Sequence, residues 1–264
     1  KEPFTSLQTQ GMVCHQTFKT NKEHWVFPSD VIKKDNEYFH LHTKESVIAG
    51  RIEKMSKSKK NVVDPQQIID DFGADTARFF MLSDSPPNRD MEWSDSGVEG
   101  SWRFLNKLWK FVKALPNKNL EDGLPTNISI QNRELLTFMN TTIKDVTKAI
   151  DEFHFNIAVA QIRSLFNLVS SYKIQNNNDK KTVFFVTSKL LILINPMVPH
   201  LAEELWATLG NENSISNECW PKVDESYIKK NNIKMPIQVN GKVRAVIEVP
   251  IDLDKNELEE IALK

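Results

Sequence analysis

The chain has 264 residues, with 34 basic and 35 acidic side chains and a formal net charge of −1. Its 40% hydrophobic and 26% charged content is that of a folded protein of about two domains, which excludes a disordered tail, a collagen-like chain and a membrane bundle. Near-neutrality excludes a uniformly basic nucleic-acid binder while leaving room for a local basic patch. Glycine is scarce, with 8 residues, and neither a G-x-G-x-x-G nor a P-loop pattern occurs, so no glycine-built phosphate site is expected. The two cysteines, Cys14 and Cys219, lie far apart, which fits a reducing cytosol better than a disulfide framework. No apolar run reaches the ~18 residues that a membrane-spanning helix needs.

Taken in chain order, residues 1–50 mix short apolar runs with turns. Trp25-Val26-Phe27-Pro28 and Tyr38-Phe39-His40-Leu41-His42 read as short strands. A lysine-rich loop covers 54–60. Asp64-Pro65 then reads as an N-cap with proline in the first helical position, opening a helix that stops at Gly73. Ala74 to Leu82 reads as a second, buried helix, broken by Ser85-Pro86-Pro87-Asn88.

From about 97 to 210 the pattern is helical. Trp102, Leu105, Leu108, Trp109, Val112 and Leu115 recur at three- and four-residue steps, with Arg103, Lys107 and Lys110 on the opposite face. After a linker at 116–130, a second helix carries Leu135, Phe138, Met139, Thr142, Ile143, Val146 and Ile150. A third carries Ala158, Ile162, Leu165, Phe166 and Val169. Gln175 to Asp179 reads as a polar turn. A helix at about 181–194 is apolar nearly all round and is therefore expected at the centre of a bundle. Asn195-Pro196 ends it, and Pro199 restarts a helix that Gly210 closes, which makes four or five antiparallel helices. The period then changes to two. Ile237 and Val239, Asn240-Gly241, and Val243, Ala245, Ile247 and Val249 predict a β-hairpin. Asp254 with Glu257 predicts a capping box for a last helix. The start at Lys1, with no Met, and the unterminated helical pattern before Lys264 read as an internal segment of a longer chain.

The candidate chemistry lies in Lys54-Met55-Ser56-Lys57-Ser58-Lys59-Lys60-Asn61, with four lysines in seven residues. A lysine run is most often a solvated loop. Here the lysines alternate with hydroxyl side chains and precede a helix start, whose free N–H groups favour anions. Lysine is also a movable point charge suited to a phosphate group.

Lys54 to Ser58 spells the KMSKS motif and resembles the class I aminoacyl-tRNA synthetases. The wider context is similar to the bacterial-type leucyl-tRNA synthetase family in Pro3-Phe4 with Gln10 to Val13, Lys54 to Pro65, Met91-Glu92-Trp93 with Ser96 to Gly100, and Gln238 to Arg244, while Gly73 to Arg78, and Asn195-Pro196 with Pro199-His200 and Glu203 to Trp206, resemble the wider subgroup. Isoleucyl, valyl and methionyl enzymes typically carry glycine before the motif's Asn, where this chain has Lys60, so the stretch is more similar to the leucyl type. The resemblance implies a mostly α chain with small α/β parts. It comprises the end of a Rossmann-type catalytic domain with the KMSKS loop (1–84), a helical anticodon-binding bundle (85–222) and the beginning of a small α/β C-terminal domain (223–264).

The implied activity of the family is activation of leucine by ATP, with Mg2+, and its transfer to tRNA(Leu) by a cytoplasmic, membrane-free, monomeric enzyme. By resemblance, Lys57 contacts the triphosphate with Lys54 as its partner, Met55 shapes the nucleotide pocket, and Ser56 and Ser58 set the loop. Arg103, Lys107 and Lys110 on the bundle, and Lys242 and Arg244 beyond it, are the candidate tRNA contacts. No His-Ile-Gly-His element and no editing insertion occur in the chain, so the segment alone is expected to be inactive, the leucine pocket lying mostly elsewhere. The alternatives are another class I synthetase of valyl type and a non-catalytic tRNA-binding module.

Other residues read as structural. Cys14, His15, His24, His40 and His42 match no metal-ligand spacing, so no metal is expected on this segment. Trp102, Trp109 and Trp206 read as core aromatics, and His200 as a structural histidine at a helix start. Asp70-Asp71 and Glu203-Glu204 are adjacent pairs that point different ways on a helix, not acid–base dyads.

Overall fold

The computed structural model describes residues 3–115, 123–125, 127–228, 232–239 and 242–250. It divides into two compact units, Lys1–Lys222 and Val223–Lys264.

The first unit opens with a sheet. Strands β1 (Val13–Thr20), β2 (Trp25–Val26), β3 (Val31–Lys34), β4 (Glu37–His40) and β5 (Ser46–Lys54) lie in the order β2-β1-β5-β4-β3, all antiparallel. β6 (Met91–Glu92) joins β1 in parallel, Val13 opposite Met91. This is the one parallel step among the described residues, reached through helices α1 (Pro65–Phe72) and α2 (Ala74–Asp84). Periodicity finds β2 and β4 and misses β1, β3 and β5. In β5 only Val47 is buried, while Ile48 and Ile52 are exposed, so the apolar positions do not mark the inner face. Thr17 sits where the β1–β5 register shifts, and its Oγ1 donates to the carbonyl of Arg51 at 2.9 Å. A side chain at Gly50 would meet that hydroxyl 2.4 Å from its Cβ.

Asp64 caps α1 as expected, its carboxylate accepting from Gln66 N at 3.0 Å with Pro65 next in the chain. Gly73, at φ +86°, lets the chain turn directly from α1 into α2 in a conformation that a β-carbon disfavours. Five helices follow: α3 (Asp95–Ala114), α4 (Ile130–Asp151), α5 (Phe155–Ser170), α6 (Asn177–Ile194) and α7 (Pro199–Thr208). Ser94, Ser129 and Asn176 cap α3, α4 and α6. Asn176 moves the start of α6 upstream of the expected 181, so the supposed polar turn supplies the cap and the first helical turn. The centre of the bundle is the apolar run Leu190 to Ile194, all of it buried, as the all-round hydrophobic pattern predicts. Trp206 is buried, but Trp102 is 43% exposed, contrary to its reading as a core residue. It lies at the edge of the helix pair, edge-on to Phe72 at 6.4 Å.

Two polar clusters tie these helices together. α7 has no side-chain cap of its own; its N-cap position is Val198. Asp75, on α2, serves instead: its Oδ2 accepts from Leu201 N at 2.7 Å and its Oδ1 lies 2.9 Å from His200 Nδ1 and 2.7 Å from Arg78. His200 is therefore structural, as expected. At the far end, Tyr172 donates to Asn132 Oδ1 at 2.6 Å, and Asn132 Nδ2 donates to buried Asp179 at 3.0 Å. That chain joins α4, α6 and the segment after α5. Between the layers, the Arg163 guanidinium rests on Phe79 and Phe104 at 5.1 and 5.0 Å, and burial draws its pKa below the ordinary arginine value.

The second unit holds α8 (Glu225–Ile228) and the antiparallel hairpin of β7 (Asn232–Val239) and β8 (Lys242–Pro250). The hairpin was predicted; its Asn240-Gly241 turn and the Asp254/Glu257 capping box lie outside the described residues. No helix among the described residues is long and apolar enough to cross a membrane.

Removing the carboxylate in Asp75→Ala leaves the Leu201 N–H at the start of α7 without its acceptor and takes the shared partner from the His200 ring and Arg78. Stability should fall by about 1–3 kcal/mol in urea unfolding. His200→Ala removes a contact whose histidine is 76% exposed and should cost less than about 1 kcal/mol. The reverse order would show that the cap is not what joins α2 to α7.

Burial, and next the charge of Asp179, push the Tyr172 hydroxyl above the ordinary tyrosine range. Its contribution is present below the unfolded value of about 10 and is lost as pH rises through the folded value. Unfolding free energy should therefore drop above about pH 10. Tyr172→Phe should flatten that drop while costing about 1 kcal/mol at neutral pH.

Candidate functional site

Lys54 is the last residue of β5, and Lys57 to Lys59 form a single tight helical turn behind it. The expected lysine loop is therefore shorter than 54–60, with its first lysine on the sheet. The four ammonium groups divide into two pairs. Lys59 is ion-paired with Glu53, and Lys60 stands over the ring of Phe27 at 5.2 Å. Lys54 and Lys57 are exposed, and neither has an acidic partner among the described residues. The two left uncommitted are the two that the motif nominates.

The loop is held from within by Asn61, a residue that the sequence reading passed over. Its side chain is completely buried. Nδ2 lies 3.1 Å from the carbonyls of His15 and Glu53 and 3.3 Å from that of Lys54, and Oδ1 accepts from Ser56 N at 2.9 Å. Met55 N donates to Val13 O at 3.0 Å. The hydroxyls of Ser56 and Ser58 bond each other at 2.8 Å, in keeping with a loop-setting role. Lys60 adopts the left-handed conformation, φ 55°, which glycine takes freely and a residue with a β-carbon takes at a cost.

Lys57 borders a cleft of about 720 Å3 with His15, Ser29, Asp64, Gln67 and Asp71. Met55 faces a different, apolar cavity of about 290 Å3 with Val13, Ile68, Met81 and Trp93. The two residues expected around one nucleotide thus border neighbouring cavities, which share Val63, Pro65 and Ile68 in their walls. The helix start of α1 is also less open to an anion than expected, because Asp64 already accepts from Gln66 N.

Arg103, Lys107 and Lys110 are all exposed on α3; Arg103 lies 3.6 Å from Glu99. Arg244 is exposed on β8, the strand that Lys242 opens. Among the described residues no group of three or more His, Cys, Asp and Glu side chains could hold a metal ion. Partial burial, then Asp90 and Glu92, push the Cys14 thiol up.

Residues 21–94 match the family model for class I tRNA synthetases (I, L, M and V), and residues 132–261 match that for the anticodon-binding domain of tRNA ligases. The leucine–tRNA ligase of Paramagnetospirillum magneticum is 42% identical over all 264 residues. The chain belongs to the leucyl branch of the class I tRNA synthetases. The leucine–tRNA ligase of Rickettsia massiliae is likewise 42% identical, over 263 residues. The chain spans 30% and 31% of the lengths of these two relatives. A LeuRS of Agrobacterium radiobacter K84 (agnB2), solved as a ternary complex with tRNA and LeuAMS, superposes with a TM-score of 0.67 at 28% identity, over 80% of this chain and 27% of that one. These relatives decide between the leucyl and the valyl reading.

Glycine at position 60 accepts φ 55° freely, whereas alanine there keeps the strain and loses the contact with Phe27. Lys60→Gly should exceed Lys60→Ala in stability by about 1 kcal/mol, the reverse of the usual order, in parallel urea titrations.

Proposed function

We propose that the chain is the part of a leucine–tRNA ligase that supplies the phosphate-binding lysine loop and the surfaces that dock tRNA(Leu). In this reading 1–84 completes the catalytic domain, 85–222 is the anticodon-binding bundle and 223–264 begins the C-terminal tRNA-binding domain. The observation that carries it is the division among the lysines: Lys54 and Lys57 stay exposed and unpaired while Lys59 and Lys60 are engaged.

In the activation step the leucine carboxylate attacks the α-phosphate of ATP in line and pyrophosphate leaves. Charge grows on the transferring phosphoryl and on the departing oxygens, and fixed positive groups stabilise it. Lys57, with Lys54, is that group here; Met55 borders the nucleotide, and Ser56 and Ser58 shape the turn. Met55 and Lys57 border neighbouring cavities, and the long Lys57 side chain moves to reach a nucleotide that Met55 borders. Mg2+ would arrive on the nucleotide's own phosphates, the usual way that this ion is held. Leucine binds mainly outside this segment. Arg103, Lys107 and Lys110, and Lys242 and Arg244, are the proposed tRNA phosphate contacts, and each contact would steepen the salt dependence of binding. In this reading the enzyme works in the cytoplasm as a monomer.

In a complete ligase carrying this segment, Lys57→Ala should slow leucine-dependent ATP–pyrophosphate exchange by roughly 10²–10³, the scale for one lost charge-stabilising donor. Affinity for tRNA should be little changed. Near-normal exchange together with weakened tRNA binding would assign the loop to RNA phosphate instead.

A further inference from the structure

We propose that Asn61 is the positioning residue of the lysine loop, fixing where the Lys57 ammonium stands relative to Lys54. The inference rests on the reading of Lys57 as a phosphate-binding group. Among the described residues Lys57 has no side-chain partner to orient it, so the backbone that carries it decides where it stands. That backbone is a ring. The turn Lys57–Lys59 is closed by Lys59 N to Ser56 O at 3.2 Å and Lys60 N to Lys57 O at 3.3 Å, both within the loop. The bond that fastens the far side of the ring to its near side is Ser56 N to Asn61 Oδ1, and the same carboxamide fastens the ring to β1 and to the end of β5.

The chemistry selects asparagine. The site needs one acceptor for an N–H and two protons shared among three carbonyls, with no charge, in a place that water does not reach. Aspartate would set a carboxylate against three carbonyl oxygens. Alanine would leave three carbonyls and one N–H without this partner. Because Lys54 contributes one of those carbonyls and Ser56 the N–H, the carboxamide holds both flanks of Met55. Losing it frees Lys57 to sweep a wide arc from Lys54, and an anion that both must grip meets only one of them at a time.

The test is a double-mutant cycle in a complete ligase carrying this segment, read by ATP–pyrophosphate exchange. Asn61→Ala alone should lower kcat by about tenfold or more, the scale of lost orientation. Adding it to Lys57→Ala should change the rate by less than about twofold, because the second change has nothing left to misplace. Asn61→Asp, which keeps the side-chain volume, should behave in the same way. Hydrogen exchange should rise over 54–60 in both variants and stay unchanged over the bundle. Independent, multiplying effects of Lys57→Ala and Asn61→Ala would overturn the proposal. So would loss of protection in the bundle in both variants, which would make Asn61 a folding residue. If Lys57→Ala alone leaves exchange intact, the phosphate reading itself is what has failed.

Discussion

The carboxylate of Asp75 is where the two halves of the first unit become one body. A helix N-terminus presents N–H groups that must be satisfied, and α7 begins at Pro199 behind Val198, which has no side chain to offer. The missing acceptor comes from α2, 126 residues earlier, through Leu201 N and His200. Because α2 also follows α1 directly through Gly73, the helix that starts beside the lysine loop is linked through one carboxylate to the last helix of the bundle. Phe79 and Phe104, stacked at 5.2 Å with Arg163 lying on both, reinforce the same joint from the inside. The position of the loop relative to the exposed stripe of α3 follows from this joint.

Much of this was legible in the sequence where periodicity and caps agree. Asp64-Pro65, the apolar run to Ile194 and the Pro199 restart all fell where helix rules put them, because long amphipathic segments advertise one inner face. The sheet was harder to read. β5 exposes Ile48 and Ile52, so its alternation does not separate inside from outside, and β1 carries a register shift at Thr17 that breaks the period. Trp102 misled for a related reason: it continues the helical stripe of α3 past the point where the neighbouring helix covers it. Asp75 and His200 belong to two motifs 125 residues apart, and only the folded chain brings the two together.

At the site, residue types were more legible than roles. The motif marks Lys54 and Lys57, but a run of four lysines carries no sign of which ammonium groups stay free. That follows from tertiary partners, Glu53 for Lys59 and Phe27 for Lys60. Asn61 was hidden because its work is done through backbone carbonyls, which leave no trace in side-chain patterns. The left-handed backbone of Lys60, directly before the buried carboxamide, is likewise visible only in the folded loop.

The backbone donors of the loop bear on the proposed use of lysine for anions. Of the six N–H groups from Met55 to Lys60, four are already committed: Met55 to Val13, Ser56 to Asn61, Lys59 to Ser56 and Lys60 to Lys57. The next helix start is partly filled by Asp64, and the two serine hydroxyls bond each other. A glycine-built phosphate cradle works by leaving such N–H groups free and converging. This loop spends them on its own rigidity, so the strong donors left to meet an oxyanion are the Lys54 and Lys57 ammonium groups. The loop is thus a backbone tied down by Asn61, carrying charge at the ends of long, movable side chains.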